Sequence, residues 1–145
     1  MGNGRTLHVT PLNFGEGGVY GGGERLPLSL ATAMAKKIPT SLLGFGKQFS
    51  KVRQGDLEVI TVPIRSRYRG SDLNPISERY LQELWKAERI HTHQFETFTT
   101  TQALLVGKLH GMDVFTTDSG ALVHNLRRRP GEIPHETSRL QSILR

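Results

Sequence analysis

Apolar residues come in short runs separated by polar or glycine-rich stretches, and the runs switch between two periods. Leu7 and Val9, within the stretch from Arg5 to Pro11, read as a short interior strand of a parallel sheet. From Glu24 to Lys37 the period becomes helical, with Leu26, Leu30, Ala33 and Met34 recurring on one side and Pro27 in the first turn. Glu24 at the start and Lys36 with Lys37 at the end suit the helix dipole. Pro39 stops that helix, and Thr40 to Gly46 follows as a second strand. Gln48 to Arg53 and Leu57 to Ile64 read as two further strands, joined by a turn at Gln54, Gly55 and Asp56 in the manner of a hairpin.

The polar stretch from Arg65 to Asn74 reads as a loop. Asn74 and Pro75 then open a helix to about Ala87, with Ile76, Tyr80, Leu81 and Leu84 on one face and Trp85 at its edge. Arg89 to His93 is the next strand. Phe98 to His110 is a helix with Phe98, Leu105 and Leu109 on one side and Gly111 as its C-terminal cap. Asp113 to Thr117 is a last short strand. The alternation of strand and helix predicts an α/β, Rossmann-like fold: a mainly parallel sheet with helices on both faces and a β-hairpin in the middle of the chain. We expect one domain over residues 1–129. Residues 130–145, PGEIPHETSRLQSILR, carry two prolines and no strand pattern, and are expected to form an irregular tail.

Length and composition narrow the class. A chain of 145 residues with 36% apolar content suits one soluble domain, and no apolar run approaches the ~18 residues that span a bilayer. With no cysteine, disulfides and thiolate metal sites are excluded, and without a secretory pattern at the N-terminus a cytoplasmic location is expected. The net charge of +6 is dispersed. Arg65, Arg67 and Arg69 alternate and Arg127 to Arg129 form a run, but no aromatics interleave with them, so nucleic acid is not an expected partner. The charge reads first as a solvated basic surface, with peripheral contact at an anionic inner membrane face as the alternative.

The candidate chemistry begins at Leu7 to Arg25, a strand, a glycine-rich loop and a helix start. Such loops let backbone N–H groups approach an anion. Gly15 and Gly17 give G-x-G, but Tyr20 stands where a dinucleotide fingerprint has its third glycine. The candidate phosphate contacts are Gly17, Gly18, Gly21, Gly22, Gly23, Glu24 and Arg25, against the plainer reading of a surface loop. Ligands of open parallel sheets bind at the carboxyl edge of the strands, which would gather this loop, the segment from His93 to Thr97 and the segment from Asp118 to Gly120. His91 and His93, two apart on a strand, share a face. They read as hydrogen-bonded structural residues, substrate contacts or metal ligands. A metal would need a third ligand that spacing does not place, Asp118 and His124 being the candidates, and none is expected. Glu96 reads as a general base or a helix cap, and Asp118 as a hydrogen-bond acceptor or a turn residue.

The strand HVTP at His8 to Pro11, the loop ending GGGER, the HxHQFxT pattern at His91 to Thr97 and VFTTDSG at Val114 to Gly120 together resemble family 4 glycosyltransferases. The resemblance runs in consistent order from Arg5 to Arg128 and is to the N-terminal, acceptor-side domain of a two-domain GT-B fold. It implies transfer of a sugar from a nucleotide-sugar donor to a sugar or lipid-linked acceptor, without another cofactor. It makes His93, Glu96 and Asp118 the catalytic candidates, with His93 contacting sugar or phosphate. Many family members carry a histidine where this chain has Ser119. The donor-binding domain is not expected within these residues, so the chain is expected to be inactive alone, as a fragment of a transferase, as one chain of a split enzyme whose partner supplies that domain, or as a fragment without function whose bare cleft face invites self-association. The alternative is a stand-alone Rossmann-like module that binds phosphate or nucleotide, or a partner subunit, without catalysis.

Overall fold

The computed structural model describes residues 4–13, 22–71, 74–95 and 97–117. In chain order the elements are β1 (Thr6–Asn13), α1 (Gly22–Ala35), β2 (Thr40–Gly46), β3 (Ser50–Gln54) and β4 (Leu57–Pro63). Then come two-residue β5 (Ser66–Arg67), a 3-10 turn (Tyr68–Gly70), two-residue β6 (Pro75–Ile76), α2 (Glu78–Trp85), β7 (Arg89–His93), α3 (Phe98–His110) and β8 (Asp113–Thr117). Six strands form one sheet in the order β3-β4-β2-β1-β7-β8. All neighbours are parallel except β3, which pairs antiparallel with β4 across the expected hairpin. The fold is therefore α/β and Rossmann-like. No helix among the described residues is long and apolar enough to cross a membrane. The expected tail, 130–145, lies outside the described residues.

The two faces of the sheet are unlike. On one, Leu7, Val9, Leu43, Phe45, Ile60, Val62 and Ile90 pack with Tyr80 and Leu84 of α2 and Ala103 and Val106 of α3. On the other, Leu42, Leu57 and Val59 pack with Ala31, Leu28 and Ala35 of α1. α1 begins at Gly22, two residues earlier than the pattern predicts, which moves Pro27 out of the first turn. Its buried side is also displaced: Ala31 is fully buried while Leu26 is 43% exposed. The strands beneath contribute the large side chains here, so the helix meets them with its small ones. β1 runs on to Asn13, and its register against β2 slips between Val9 and Asn13, where Pro11 has no N–H to give the ladder.

Two other expectations are corrected. Pro75 and Ile76 do not start a helix: they pair antiparallel with Ser66 and Arg67 inside what reads as a loop. α2 starts at Glu78 because Ser77 caps it, its side chain accepting from the Tyr80 N–H. Asn74 does cap a helix, but a different one, its Oδ1 accepting from Phe98 N–H at 2.8 Å. α3 has the expected bounds and its Gly111 cap in the left-handed region, φ 64. Its inward side, however, is Thr99, Thr100, Ala103, Val106 and Gly107, leaving Leu105 and Leu109 59% and 70% exposed. Trp85 is exposed too, its ring edge against His110.

One ion cluster ties the elements together at the amino end of β1. Glu83 of α2 is fully buried, and its carboxylate lies 3.0 Å from Lys86 Nζ, 3.1 Å from Lys51 Nζ, 3.6 Å from Arg79 Nε and 3.8 Å from Arg5 Nη1. Burial alone would raise the pKa of this acid, but the hydrogen bonds from Lys86 and Lys51 outweigh it and hold the pKa below the usual carboxylate value.

Gly107 shows how tightly α3 sits: a Cβ there would collide with Val114 Cγ2 on β8. On an exposed helix Gly→Ala gains about 1 kcal/mol, whereas overpacking costs about 1–3 kcal/mol. We expect Gly107→Ala to lower stability by roughly 1 kcal/mol in urea unfolding, and Val114→Ala in the same chain to recover the loss. A Gly107→Ala chain that gains stability would show that α3 stands off from β8.

Candidate functional site

β1 alternates sharply. Leu7 and Val9 enter the apolar core, while Thr6, His8 and Thr10 point to the other face, and all five are buried. β1 pairs with β7 so that His8 stands opposite His91, and His93 follows on the same face. Three imidazoles are thereby gathered from two neighbouring strands. The centroids of His8 and His91 are 4.7 Å apart, those of His91 and His93 4.7 Å, and those of His8 and His93 5.3 Å.

His8 Nδ1 and His93 Nε2 are hydrogen-bonded at 3.1 Å, and His91 Nε2 is 2.7 Å from Thr117 Oγ1 on β8. His8 and His93 have no exposed surface, and His91 is half-buried. Burial, joined by the nearby His91 and His93, pushes the pKa of His8 down to about 3. Burial and His91 push His93 down to about 4, and burial lowers His91. All three rings are neutral at pH 7. In a neutral pair one ring donates and the other accepts, so either choice of tautomer leaves one N–H and one lone pair over. The leftover atoms, His8 Nε2 and His93 Nδ1, are buried and have no hydrogen-bond partner among the described residues. An unsatisfied buried polar atom costs about 1–3 kcal/mol, so the cluster is not self-sufficient.

The cluster sits where ligands of this architecture bind. From β1 the chain passes through α1 to β2 on one side, whereas β7 lies on the other side of β1, so strand order reverses between β1 and β7. His93 is the last residue of β7 and Thr117 the last of β8. The turn out of β7 is held in an uncommon conformation, with Gln94 at φ 79. Its N–H donates to Thr117 O at 3.0 Å and its carbonyl accepts from Thr100 Oγ1 at 2.7 Å. A non-glycine residue at positive φ costs on the order of 1–3 kcal/mol and persists where its surroundings over-determine it. Thr97, just beyond, caps α3 by accepting from Thr100 N–H.

Of the residues singled out from sequence, His93 is in the cluster, with His91 beside it. Gly22 and Gly23 are the first residues of α1, Glu24 lies in its first turn, and Arg25 is exposed. Gly17, Gly18, Gly21, Glu96 and Asp118 lie outside the described residues, as does His124. The residue that sequence reasoning missed is His8. Its signal is the polar alternation Thr6, His8, Thr10 against apolar Leu7 and Val9, which marks one face of an interior strand as not part of a core. Compared with known protein families, curated proteins and solved structures, the chain matches none.

The neutral cluster has a pH signature. His8 and His93 take up protons below about pH 6.5 when unfolded, but only near pH 3 and 4 when folded, so stability present above pH 6.5 is lost as pH falls. We expect unfolding free energy in urea with EDTA to drop between pH 7 and pH 5 by on the order of 1–2 kcal/mol for each ring. Equal stability at the two pH values would mean that the rings are protonated in the folded chain.

Proposed function

We propose that this domain is the acceptor-side, Rossmann-like half of a nucleotide-sugar-dependent glycosyltransferase. The observation that carries the reading is topological: α1, with Gly22 and Gly23 at its start, follows β1 in the chain, and His93 ends the neighbouring parallel β7, across the switch point between the two strands. A helix start with two glycines offers unpaired N–H groups and the positive end of a dipole to a diphosphate. His93 is buried and bonded through Nε2 to His8, and its Nδ1, without a partner among the described residues, is the atom proposed to bond a sugar hydroxyl. Glu96 and Asp118 follow β7 and β8 in the chain and are the acidic groups proposed to serve the acceptor.

In this reading the nucleotide of the donor is held mainly by a second Rossmann-like domain, and transfer takes place in the cleft between the two. Closing such a cleft positions the reactants and excludes water. No metal or organic cofactor is required by the reading. The acceptor is a sugar or a lipid-linked sugar, and the net charge of +6 suits work in the cytoplasm at an anionic inner membrane face.

The test is an NMR titration of the isotope-labelled chain with uridine, guanosine and adenosine diphosphate sugars. We expect at least one donor to shift the amide resonances of Gly22, Gly23 and Gln94 together, and Gly22→Val to weaken it roughly tenfold or more without unfolding the chain. If no donor moves those amides, the transferase reading fails. If bare nucleoside diphosphates bind as tightly as their sugar conjugates, the domain is a nucleotide-binding module without transfer chemistry.

A further inference from the structure

We propose that His8, His91 and His93 form a site for one divalent transition-metal ion of the zinc class, held between β1 and β7 with a coordination position left for an outside ligand. The inference is independent of the sugar-transfer reading, because it rests on three side chains and is tested by ion binding alone.

The geometry is the first support. One nitrogen from each ring can be chosen so that all three lie within 4.8 Å of one another, and His8 Nδ1 and His93 Nε2 are 3.1 Å apart. Tetrahedral zinc with bonds of about 2.0–2.1 Å sets its ligand nitrogens about 3.3–3.4 Å apart. The 3.1 Å contact is already near that value, and the widest separation would have to close by up to about 1.5 Å. Two histidines spaced i, i+2 on one strand and a third opposite on its neighbour present three donors to one side of the sheet, as a three-histidine zinc site with an open fourth position requires.

The donor set is the second support. Three imidazoles without a carboxylate favour zinc, cobalt, nickel or copper over magnesium or calcium, which prefer oxygen. Imidazole ligates in its neutral form, the ordinary state of histidine at pH 7. Neutral rings have no charge to offer an anion, which argues against a bare phosphate site.

The surroundings are the third. Metal-binding histidines usually bond through their other nitrogen to a neighbouring group that fixes ring and tautomer, and His91 Nε2 has that bond to Thr117 Oγ1. His8 and His93 are fixed by burial within the sheet. Without an ion their mutual hydrogen bond uses one nitrogen of each and leaves the other two unpartnered. Coordination through His8 Nδ1 and His93 Nε2 would replace that single bond with bonds to the ion and leave His8 Nε2 and His93 Nδ1 as N–H donors. A purely structural role for three stacked polar rings offers no comparable return for burying them.

The experiment uses the whole untagged chain, stripped with chelator and titrated calorimetrically with zinc chloride, with magnesium chloride as the control. We expect one zinc per chain with a dissociation constant of about 1 µM or tighter, no response to magnesium, and the intense visible bands of four-coordinate cobalt when cobalt(II) is used instead. His91→Gln, at the half-exposed position and so the variant least apt to disturb folding, should weaken zinc roughly 100-fold and abolish the cobalt bands. Thr117→Val should weaken it roughly 10-fold through the lost orienting bond. Circular dichroism of each variant verifies that it is folded. Zinc binding weaker than about 0.1 mM, or tight binding unchanged in His91→Gln, overturns the site.

Discussion

β1 lies between β2 and β7, and its side chains alternate between an apolar core and a polar cluster. A shift of one residue in its register would therefore drive His8 and Thr10 into the core and leave Leu7 and Val9 among the histidines. Burying two apolar side chains of this size is worth about 3–6 kcal/mol, so the core holds the register, and the register in turn brings His8 to face His91. The polar cluster does not assemble itself. It is assembled by the apolar side of the same strand, which tolerates the cost of unsatisfied nitrogens on the other.

A second polar cluster lies at the amino end of β1. Arg5, just before the strand, reaches Glu83 of α2 and Glu58 of β4, and Lys51 of β3 reaches Glu83 as well. A buried carboxylate is costly unless several cations satisfy it, and removing one partner of such a group typically costs about 3–5 kcal/mol. The cluster thus ties α2 to three strands at the amino end of β1. Only Thr6 and Leu7 of β1 separate Arg5 of the ion cluster from His8 of the histidine cluster.

How much of this could be read from the residues depends on what each feature answers to. β2, β7, α3 and β8 have the bounds that local pattern predicts, because breakers bracket them: Pro39 before β2, and Gly111 between α3 and β8. The hairpin of β3 and β4 follows from its turn. The buried sides of α1 and α3 do not follow, because ranking residues by hydrophobicity selects Leu26, Leu105 and Leu109, whereas close approach to the sheet selects Ala31, Ala103 and Gly107. The start of α2 was a competition between two plausible signals, Asn74 with Pro75 against Ser77, and only tertiary contacts engage Asn74 elsewhere. His91 and His93 are visible as a pair, but His8 becomes their third member only through strand order, which no local pattern encodes.

That strand order also sets a timetable. His8 and His93 are separated by 85 positions, while β3 and β4 are joined by a two-residue turn. Contacts close in sequence form before those that must first close a long loop. During synthesis β1 emerges early and can pair with β2, yet its other edge stays open until β7 has been made. The histidine cluster is thus among the last features to assemble, and the exposed edge of β1 is the stretch of this chain that a chaperone would have the longest opportunity to meet.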